Sequence, residues 1–508
     1  MNEQIPNNQI VQLNNIEETP MTKRMKSQFS FFGLASAIYA FFYAFCLFEN
    51  ASGITYPFFV AGTLCYFFFS MKKLGVPYKK DSLFYVISMI LLGISNCCTD
   101  STPLLFMNKL GIFLLAFILM LHTVYHDKGW NFPKYIGAIC RTIGISITCI
   151  FNPLLDLSAY LKSRKQIEHD KKSYAGYILL GFVISIPLLT IIILLLCSAD
   201  AVFRTMVDNI FSFDFSFGTA FRINLLIAVV FFASYALIAA LCKKTVEEEV
   251  KDRRIFEPVV AITVTGMLTI VYLIFSMIQI LYLFIGNMQL PEGYTYSAYA
   301  REGFFQLLAV CILNLILVLF CVSFFRDNLI LKIILTVISG CTFIMILSSA
   351  LRMFMYIARY NLTFLRIFVL WALAVIFLLI IGVTVYIYHQ SFPLFFYSVA
   401  VVTVFYICLS FFHPDYWIAK YNLQPSHIEY LNDYDIKDSK RYLYRLSADA
   451  APFVLWEEKN PYLSEAEEDD AYYFSYCHRV QAKVKKMDIR SFNFSIYRAK
   501  GYLPDISD

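Results

Sequence analysis

The chain has 508 residues, 59% of them hydrophobic and only 16% charged, where ordinary globular chains hold about 45–50% and about 25%. With 50 Phe, 35 Tyr and a mean hydropathy of +0.62, it carries more apolar surface than one aqueous core can bury; the composition predicts a membrane protein and excludes a disordered, collagenous, disulfide-framed or nucleic-acid-binding chain. A net charge of +5 is too small to name a partner, so only the placement of charge informs.

A polar tail, residues 1–28, comes first. A helix crossing about 30 Å of hydrocarbon needs about 20 apolar residues, and eleven runs of that order follow: Phe29 to Phe48, Ile54 to Met71, Ser82 to Cys98, Leu110 to Tyr125, Tyr174 to Cys197, Ile223 to Cys242, Val259 to Ile285, Phe304 to Phe325, Leu329 to Leu351, Thr363 to Tyr388 and Pro393 to Phe412. None alternates with period 2, which favours helices over a barrel. Pro133 to Leu157 is apolar too, but it carries Arg141 and is cut by Asn152 and Pro153, so it is expected to lie in the interface. Beyond Phe412 aromatic and charged residues interleave; Asn422 to Asp433 and Tyr442 to Leu455 read as two surface helices, and Glu465, Glu467, Glu468, Asp469 and Asp470 as a solvated acidic loop.

The expected fold is an all-α polytopic transmembrane helix bundle. It comprises a cytoplasmic N-tail (1–28), four N-terminal transmembrane helices (29–125), a basic cytoplasmic loop with the interfacial segment (126–173), a seven-helix core (174–412) and a mostly helical extramembrane tail (413–508). With the N-terminus inside, the inner segments up to Phe412 carry 22 Lys and Arg and the outer loops 7, the asymmetry that short cytoplasmic loops show. Eleven crossings put the tail outside. No cleavable signal peptide or lipidation motif is expected, because the first apolar run follows a polar tail and is longer than a signal core.

Chemistry-bearing motifs are sparse. There is no Walker A loop, GxSxG elbow, HExxH or GxGxxG. His122 and His126 share a helical face but lack the Glu of a zinc site. Most of the 13 cysteines sit in apolar runs as small hydrophobes; only the adjacent Cys97 and Cys98 invite oxidation or a metal. No catalytic residue, metal site or cofactor is assigned.

Four polar words do stand beside the helices: Leu196-Cys-Ser-Ala-Asp200; Tyr296-Ser-Ala-Tyr-Ala-Arg-Glu-Gly-Phe304; Arg352 through Tyr356 with Tyr360-Asn-Leu-Thr363 and Arg366; and His413-Pro-Asp-Tyr-Trp-Ile-Ala-Lys-Tyr-Asn422. Even numbers of crossings separate them, so all four are expected on the outer side. Ionisable groups at membrane depth are costly and mark candidate functional positions. The candidate polar face is therefore Asp200, Tyr296, Tyr299, Arg301, Glu302, Arg352, Arg359, Arg366, Asp415 and Asn422. Arg352, Arg359 and Arg366, seven apart, would share one face of a continuous helix, which Asn361 could break. Arg301 is expected to pair with Asp200 or Asp415.

These words resemble a family of bacterial multi-pass membrane proteins known as domain of unknown function 4173, with domain of unknown function 4153 a relative. Tyr442-Leu-Tyr-Arg-Leu-Ser-Ala-Asp-Ala-Ala-Pro452 and Arg490-Ser-Phe-Asn-Phe-Ser-Ile-Tyr-Arg-Ala499 look like its closing motifs, with Phe492 in place of Trp and His413 in place of Asn. The resemblance spans roughly residues 170–508, leaves the four N-terminal helices unmatched, and implies a bacterial cytoplasmic-membrane protein without an assigned activity.

Three function classes follow. A sensor, receptor or envelope-assembly factor needs only a rigid bundle presenting a polar outer face; its partners would be the lipid bilayer and membrane or envelope proteins, with no nucleic acid. A transporter or exporter subunit would call for broken helices and an internal repeat, and no repeat is found. An intramembrane enzyme would have to use Asp200, Glu302 or Asp415 as acid or base.

Overall fold

The computed structural model of the chain describes residues 18–50, 52–127, 129–167, 217–247, 254–281, 296–424, 433–455 and 470–503, with single positions between 192 and 206. Among them it is all-helical, apart from one isolated bridge between Phe256 and Phe325. A short α1 (Pro20–Ser27) leads into α2 (Phe29–Leu47), α3 (Thr55–Leu74), α4 (Ser82–Cys98) and α5 (Thr102–Val124). Next come α6 (Phe132–Thr148), α7 (Asn152–Ile167), α8 (Phe217–Cys242), α9 (Pro258–Gln279), α10 (Tyr296–Phe324), α11 (Leu329–Arg359), α12 (Phe364–Tyr388) and α13 (Leu394–Phe411). The tail adds α14 (Pro414–Asn422), α15 (Asp433–Leu443), α16 (Ala451–Val454), α17 (Asp470–Lys485) and α18 (Phe494–Lys500).

Local chemistry sets the helix ends. The side chains of Thr19, Asn131 and Asn328 accept from the first turns of α1, α6 and α11, and Pro stands in the first turn of α1, α5, α6 and α9, where its missing N–H goes unnoticed. Gly75 stops α3 at φ +84°, with Val76 N–H on Met71 O at 3.0 Å, the left-handed stop that glycine adopts without strain.

Cross-chain bonds define two ends of the bundle. At the basic end Arg24 Nη1 donates to Leu74 O (2.9 Å), Lys79 Nζ to Tyr125 O (2.7 Å), Arg254 Nη1 to Gln390 Oε1 (2.8 Å), and Arg326 pairs with Glu257 (2.6 Å). At the other end Arg222 pairs with Glu49 (3.0 Å) and the tail makes its contacts. Thus α2, α4, α9, α11 and α13 run toward the tail and α3, α5, α8, α10 and α12 run away from it. One apolar core joins α2 to α5, α8 and α13; a second joins α9 to α12 and a third α9 to α13. Large apolar side chains such as Phe58, Phe106, Val264 and Leu313 face outward, as expected of helices apolar all round.

Among the described residues eight helices are long and apolar enough to cross a membrane, α2, α5 and α8 to α13, or nine if the bent pair α6 and α7 is one span. Three of the eleven expected crossings fall short of that count. The run from Ser82 to Cys98 forms the 17-residue α4, the run from Ile54 forms α3 with Lys72 and Lys73 in its last turn, and Tyr174 to Cys197 lies almost wholly outside the described residues. The stretch Pro133 to Leu157 forms α6 and α7, bent by 56°. Tyr135 stacks on Phe395 with ring centroids 3.7 Å apart, Tyr235 Oη donates to Asp156 (2.9 Å), and Tyr160 packs on Phe29. Phe395 and Phe29 open α13 and α2, so both halves of the pair touch the basic end.

The tail differs from the expected two helices. Its first helix, α14, ends at Asn422, where the expected one would begin, and residues 425–432 of that expected helix lie outside the described residues. Tyr442 to Leu455 is broken after Leu443: Ser447 caps a short 3₁₀ turn by accepting from Asp449 N–H, and Pro452 opens α16. The acidic run Glu465 to Asp469 lies outside the described residues, and α17, which follows it, is not among the expected helices. Ile418, Leu443, Ala450, Val454, Tyr476 and Cys477 give this cap its own apolar core.

Candidate functional site

The cap meets the bundle through buried polar groups, and the sequence explains where they come from. Between α4 and α5 the chain turns in three residues, Thr99-Asp-Ser101, all buried. A turn this tight leaves backbone N–H and C=O groups that must be satisfied away from water. The cap supplies partners. Asp449, with a side chain 2% exposed, accepts from Thr99 Oγ1 (2.5 Å), from Asp100 N–H (3.2 Å) and from Ser495 Oγ. Asp100 in return accepts from Ala448 N–H (3.1 Å) and from Lys483 Nζ at 2.7 and 2.9 Å. Asp415 accepts from Ser447 N–H (3.2 Å). Three carboxylates thus converge on one junction, with the Lys483 ammonium and the His413 imidazole beside them.

Electrostatics follow from that crowding. Burial pushes the Asp415 carboxyl above its ordinary value; the bond from Ser447 opposes this, and the charge of Asp449 adds to it. Asp449 raises His413, whose Nδ1 lies 3.6 Å from Asp449 Oδ2, against the lowering effect of burial. His413 stands in the left-handed region at φ +51°, ψ +66°, a costly conformation for a non-glycine residue. It is the hinge by which α13 passes into α14.

Further bonds close the seam. Asn493 caps α18 with its Oδ1 and with its Nδ2 donates to Ser52 O (3.1 Å) and Thr99 O (3.0 Å). Asn50 Nδ2 donates to Arg490 O (2.9 Å), and Arg490 Nη1 to Phe45 O (3.2 Å). Here Gly53 is required by close approach: a Cβ would lie 2.4 Å from Arg490 O and 2.6 Å from Ser491 Cα. Beneath the junction a second polar knot ties α4, α5 and α13. Tyr406 Oη and Ser410 Oγ each donate to Asn108 Oδ1 at 2.7 Å, and Ser95 Oγ bonds Ser410 Oγ.

The ten candidate positions separate. Asp415 belongs to the junction. Asn422 clamps the turn between α11 and α12, accepting from Leu362 N–H (2.7 Å) and donating to Leu362 O (3.0 Å), while Tyr442 Oη accepts from Phe364 N–H (2.9 Å). This turn ends α11 at Arg359, so Arg352, Arg359 and Arg366 do not share a helix face; Arg366 opens α12 and lies over the Tyr356 ring at 4.1 Å. Arg352 is buried, with Nη2 on Gln279 Oε1 at 3.2 Å. Asp200 is exposed and accepts from Phe203 N–H (2.9 Å). Tyr296, Tyr299, Arg301 and Glu302 occupy the first turns of α10; their side chains, that of Arg359 and the pairing expected of Arg301 lie outside the described residues. Elsewhere, His122 Nδ1 meets Asp127 Oδ2 at 2.6 Å, and Cys97 and Cys98 are free thiols.

Sequence reasoning missed Asp100, Asp449, Lys483 and Asn493 as a set. One signal was available: Thr99-Asp-Ser101 is a fully polar word enclosed by two apolar runs, with no charge of opposite sign near it in sequence.

Comparison with known proteins assigns a family. Residues 86–455, more than two thirds of the chain, match the model described as Domain of unknown function (DUF4153), and the chain belongs to that family. The match begins within α4, so it takes in part of the N-terminal region that the motif resemblance left out, and it ends before the closing words around Arg490. The matching model is that of the family named as a relative, 4153. No curated protein and no solved structure matches the chain.

Proposed function

We propose that this integral membrane protein of the DUF4153 family is a sensor or envelope-assembly factor of a bacterial cytoplasmic membrane, crossing it eleven times with the N-terminus inside and the cap outside. The observation that supports this reading is the buried junction of Asp100, Asp415 and Asp449. A cap joined to the helices through satisfied carboxylates passes any force or displacement on it directly to α4, α5 and α13, which suits a receiver of outer signals or partners. The basic character of the opposite end supports the orientation. A transporter subunit is the second reading, favoured by the bent pair α6 and α7, since broken helices recur in transporters. The enzyme reading is weaker, because Asp415 is engaged by a backbone N–H in the cap seam.

Two measurements test the proposal. Alkaline phosphatase fused after Asp508 should be active and a cytosol-dependent fluorescent fusion dark; the reverse pattern overturns the orientation. In a deletion strain, Asp449→Ala should insert in the membrane yet fail to complement, while Asp449→Asn should complement, and the purified wild-type protein in liposomes should support no solute or ion flux. Flux that Arg352→Gln abolishes would replace the sensor reading with the transporter one.

A further inference from the structure

Helix α7 turns its faces the opposite way from a helix in water. Leu154 and Leu155 are exposed while Asp156, with 5% of its surface exposed, is buried; a helix lying against lipid sorts its residues so, and a solvated one does not. The interfacial pair α6 and α7 bends by 56° just before this carboxyl group, and α7 then packs against α1, α2 and α8. A carboxyl group thereby enters the bundle at its basic end, far from the cap seam.

Its surroundings do not suit a charge. Tyr235, itself fully buried, donates from Oη to Asp156 Oδ2 at 2.9 Å, and among the described residues no other hydrogen bond and no ion pair reaches the carboxyl group. Lys26 pairs with Glu18 instead. The ring of Phe29 stands beside those of Tyr160 and Tyr235, with centroids 6.0 and 5.9 Å away. Other buried carboxylates of the same molecule are supplied differently: Asp449 has three donors, and Asp127 Oδ2 accepts from Tyr135 Oη at 2.5 Å and lies 2.6 Å from His122 Nδ1. A carboxylate offers about four acceptor sites. Burying it against a single donor is costly in a way that burying the protonated form is not.

We propose that Asp156, with Tyr235, is a proton-binding site that latches α7 to the bundle: protonated, the carboxyl group stays beneath α7; ionised, it draws α7 out toward water. The groups that face it are Tyr235 and Cys242 from α8, Lys243 just beyond α8, Lys26 of α1 with Glu18 ahead of it, and Cys149 from the bend between α6 and α7; α2 contributes Phe29, which does not titrate. Burial favours the neutral form most and the charge of Glu18 adds to it, while the Tyr235 bond and the charges of Lys26 and Lys243 oppose it. The latched state therefore holds the proton more tightly than the released one. Latching is complete below the ordinary carboxyl value of about 4 and is lost as pH rises through the higher latched value. The site requires only the packing of α1, α7 and α8; that its protons come from the cytoplasm rests on the proposed orientation.

The test uses the full-length protein in phosphatidylcholine nanodiscs, which open both faces to buffer, with the proton itself as probe across about pH 4 to 9. Protection of the α7 amides 152–161 from hydrogen exchange, corrected for the intrinsic rate, should fall as pH rises, by up to about tenfold per unit once the site empties, the slope of a single proton. Over the same range infrared spectra should lose the C=O stretch of a protonated carboxyl group. Asp156→Asn, neutral at every pH, should hold the protection flat and lack the titrating band. Tyr235→Phe removes the donor that favours the charged form and should move the midpoint about one unit higher. Asp127→Asn, at the other carboxylate of the basic end, should leave the midpoint in place. Protection that is flat with pH in the wild type, or that falls alike in Asp156→Asn, would overturn the proposal; the wild-type profile and spectrum decide it even if a variant fails to insert. The phosphatase fusion after Asp508 reports on the orientation separately.

Discussion

Replacing Asp449 by alanine should detach the cap from the bundle. The change removes the acceptor for Thr99 Oγ1, Asp100 N–H and Ser495 Oγ at once. The two hydroxyls can rotate toward other acceptors, but the Asp100 N–H is fixed by the turn and stays buried without a partner. An unsatisfied buried donor costs ~1–3 kcal/mol and a lost hydrogen bond ~0.5–1.5, so the sum is about 3 kcal/mol for Asp449→Ala. Asparagine retains one carbonyl oxygen and relieves the like charge beside Asp415, so Asp449→Asn should cost only ~1 kcal/mol. Hydrogen exchange at residues 99–101 and 494–500, read with the thermal inactivation midpoint in detergent, measures both. Combining Asp449→Ala with Ser495→Ala should cost less than the two separately, by ~1–2 kcal/mol of coupling. If Ala, Asn and wild type exchange alike, or the double change is strictly additive, the junction does not hold the cap.

Gly53→Ala should destabilise by more than ~1 kcal/mol because its Cβ must displace the backbone of Arg490 and Ser491, whereas a Cβ at Gly340 would meet no atom within 4 Å, so Gly340→Ala should be neutral or raise the midpoint through helix propensity; equal midpoints for the two variants would refute the close-approach argument. Asn422→Ala loses both bonds to Leu362 and should cost ~2–3 kcal/mol, seen as faster proteolysis at the turn between α11 and α12. The pH response has a definite sign. Asp415, raised first by burial, and His413, raised first by Asp449, bind protons more tightly folded than unfolded. The stability each adds is present below its unfolded pKa, about 4 and about 6.5, and is lost as pH rises through its higher folded value. Cap protection should therefore decline from acid toward alkaline pH, and His413→Gln should flatten the decline above about pH 6.5; an unchanged profile in that variant would show that the imidazole does not contribute.

Composition and run length were enough to specify the solvent and the element type. With 59% hydrophobic residues in runs of membrane length, backbone groups have no partner but their own helix, so an all-α bundle was legible without knowing any contact. The location of the basic residues was legible too, because charge avoidance is local to each loop. Even the break near Asn361 was visible as a polar word between apolar runs. Which polar words meet is a different matter. Lys483 reaches Asp100 across 383 positions and Asn50 reaches Arg490 across 440, and no periodicity encodes a bond between two turns. Asp200 and Asp415 read alike as carboxylates beside helices, yet one is exposed and the other buried. That difference arises because the cap folds over the turn between α4 and α5, bringing donors from distant parts of the chain to the carboxylates there. The same holds for Gly340: a glycine in an apolar run signals nothing until a Cβ there is seen to meet open space.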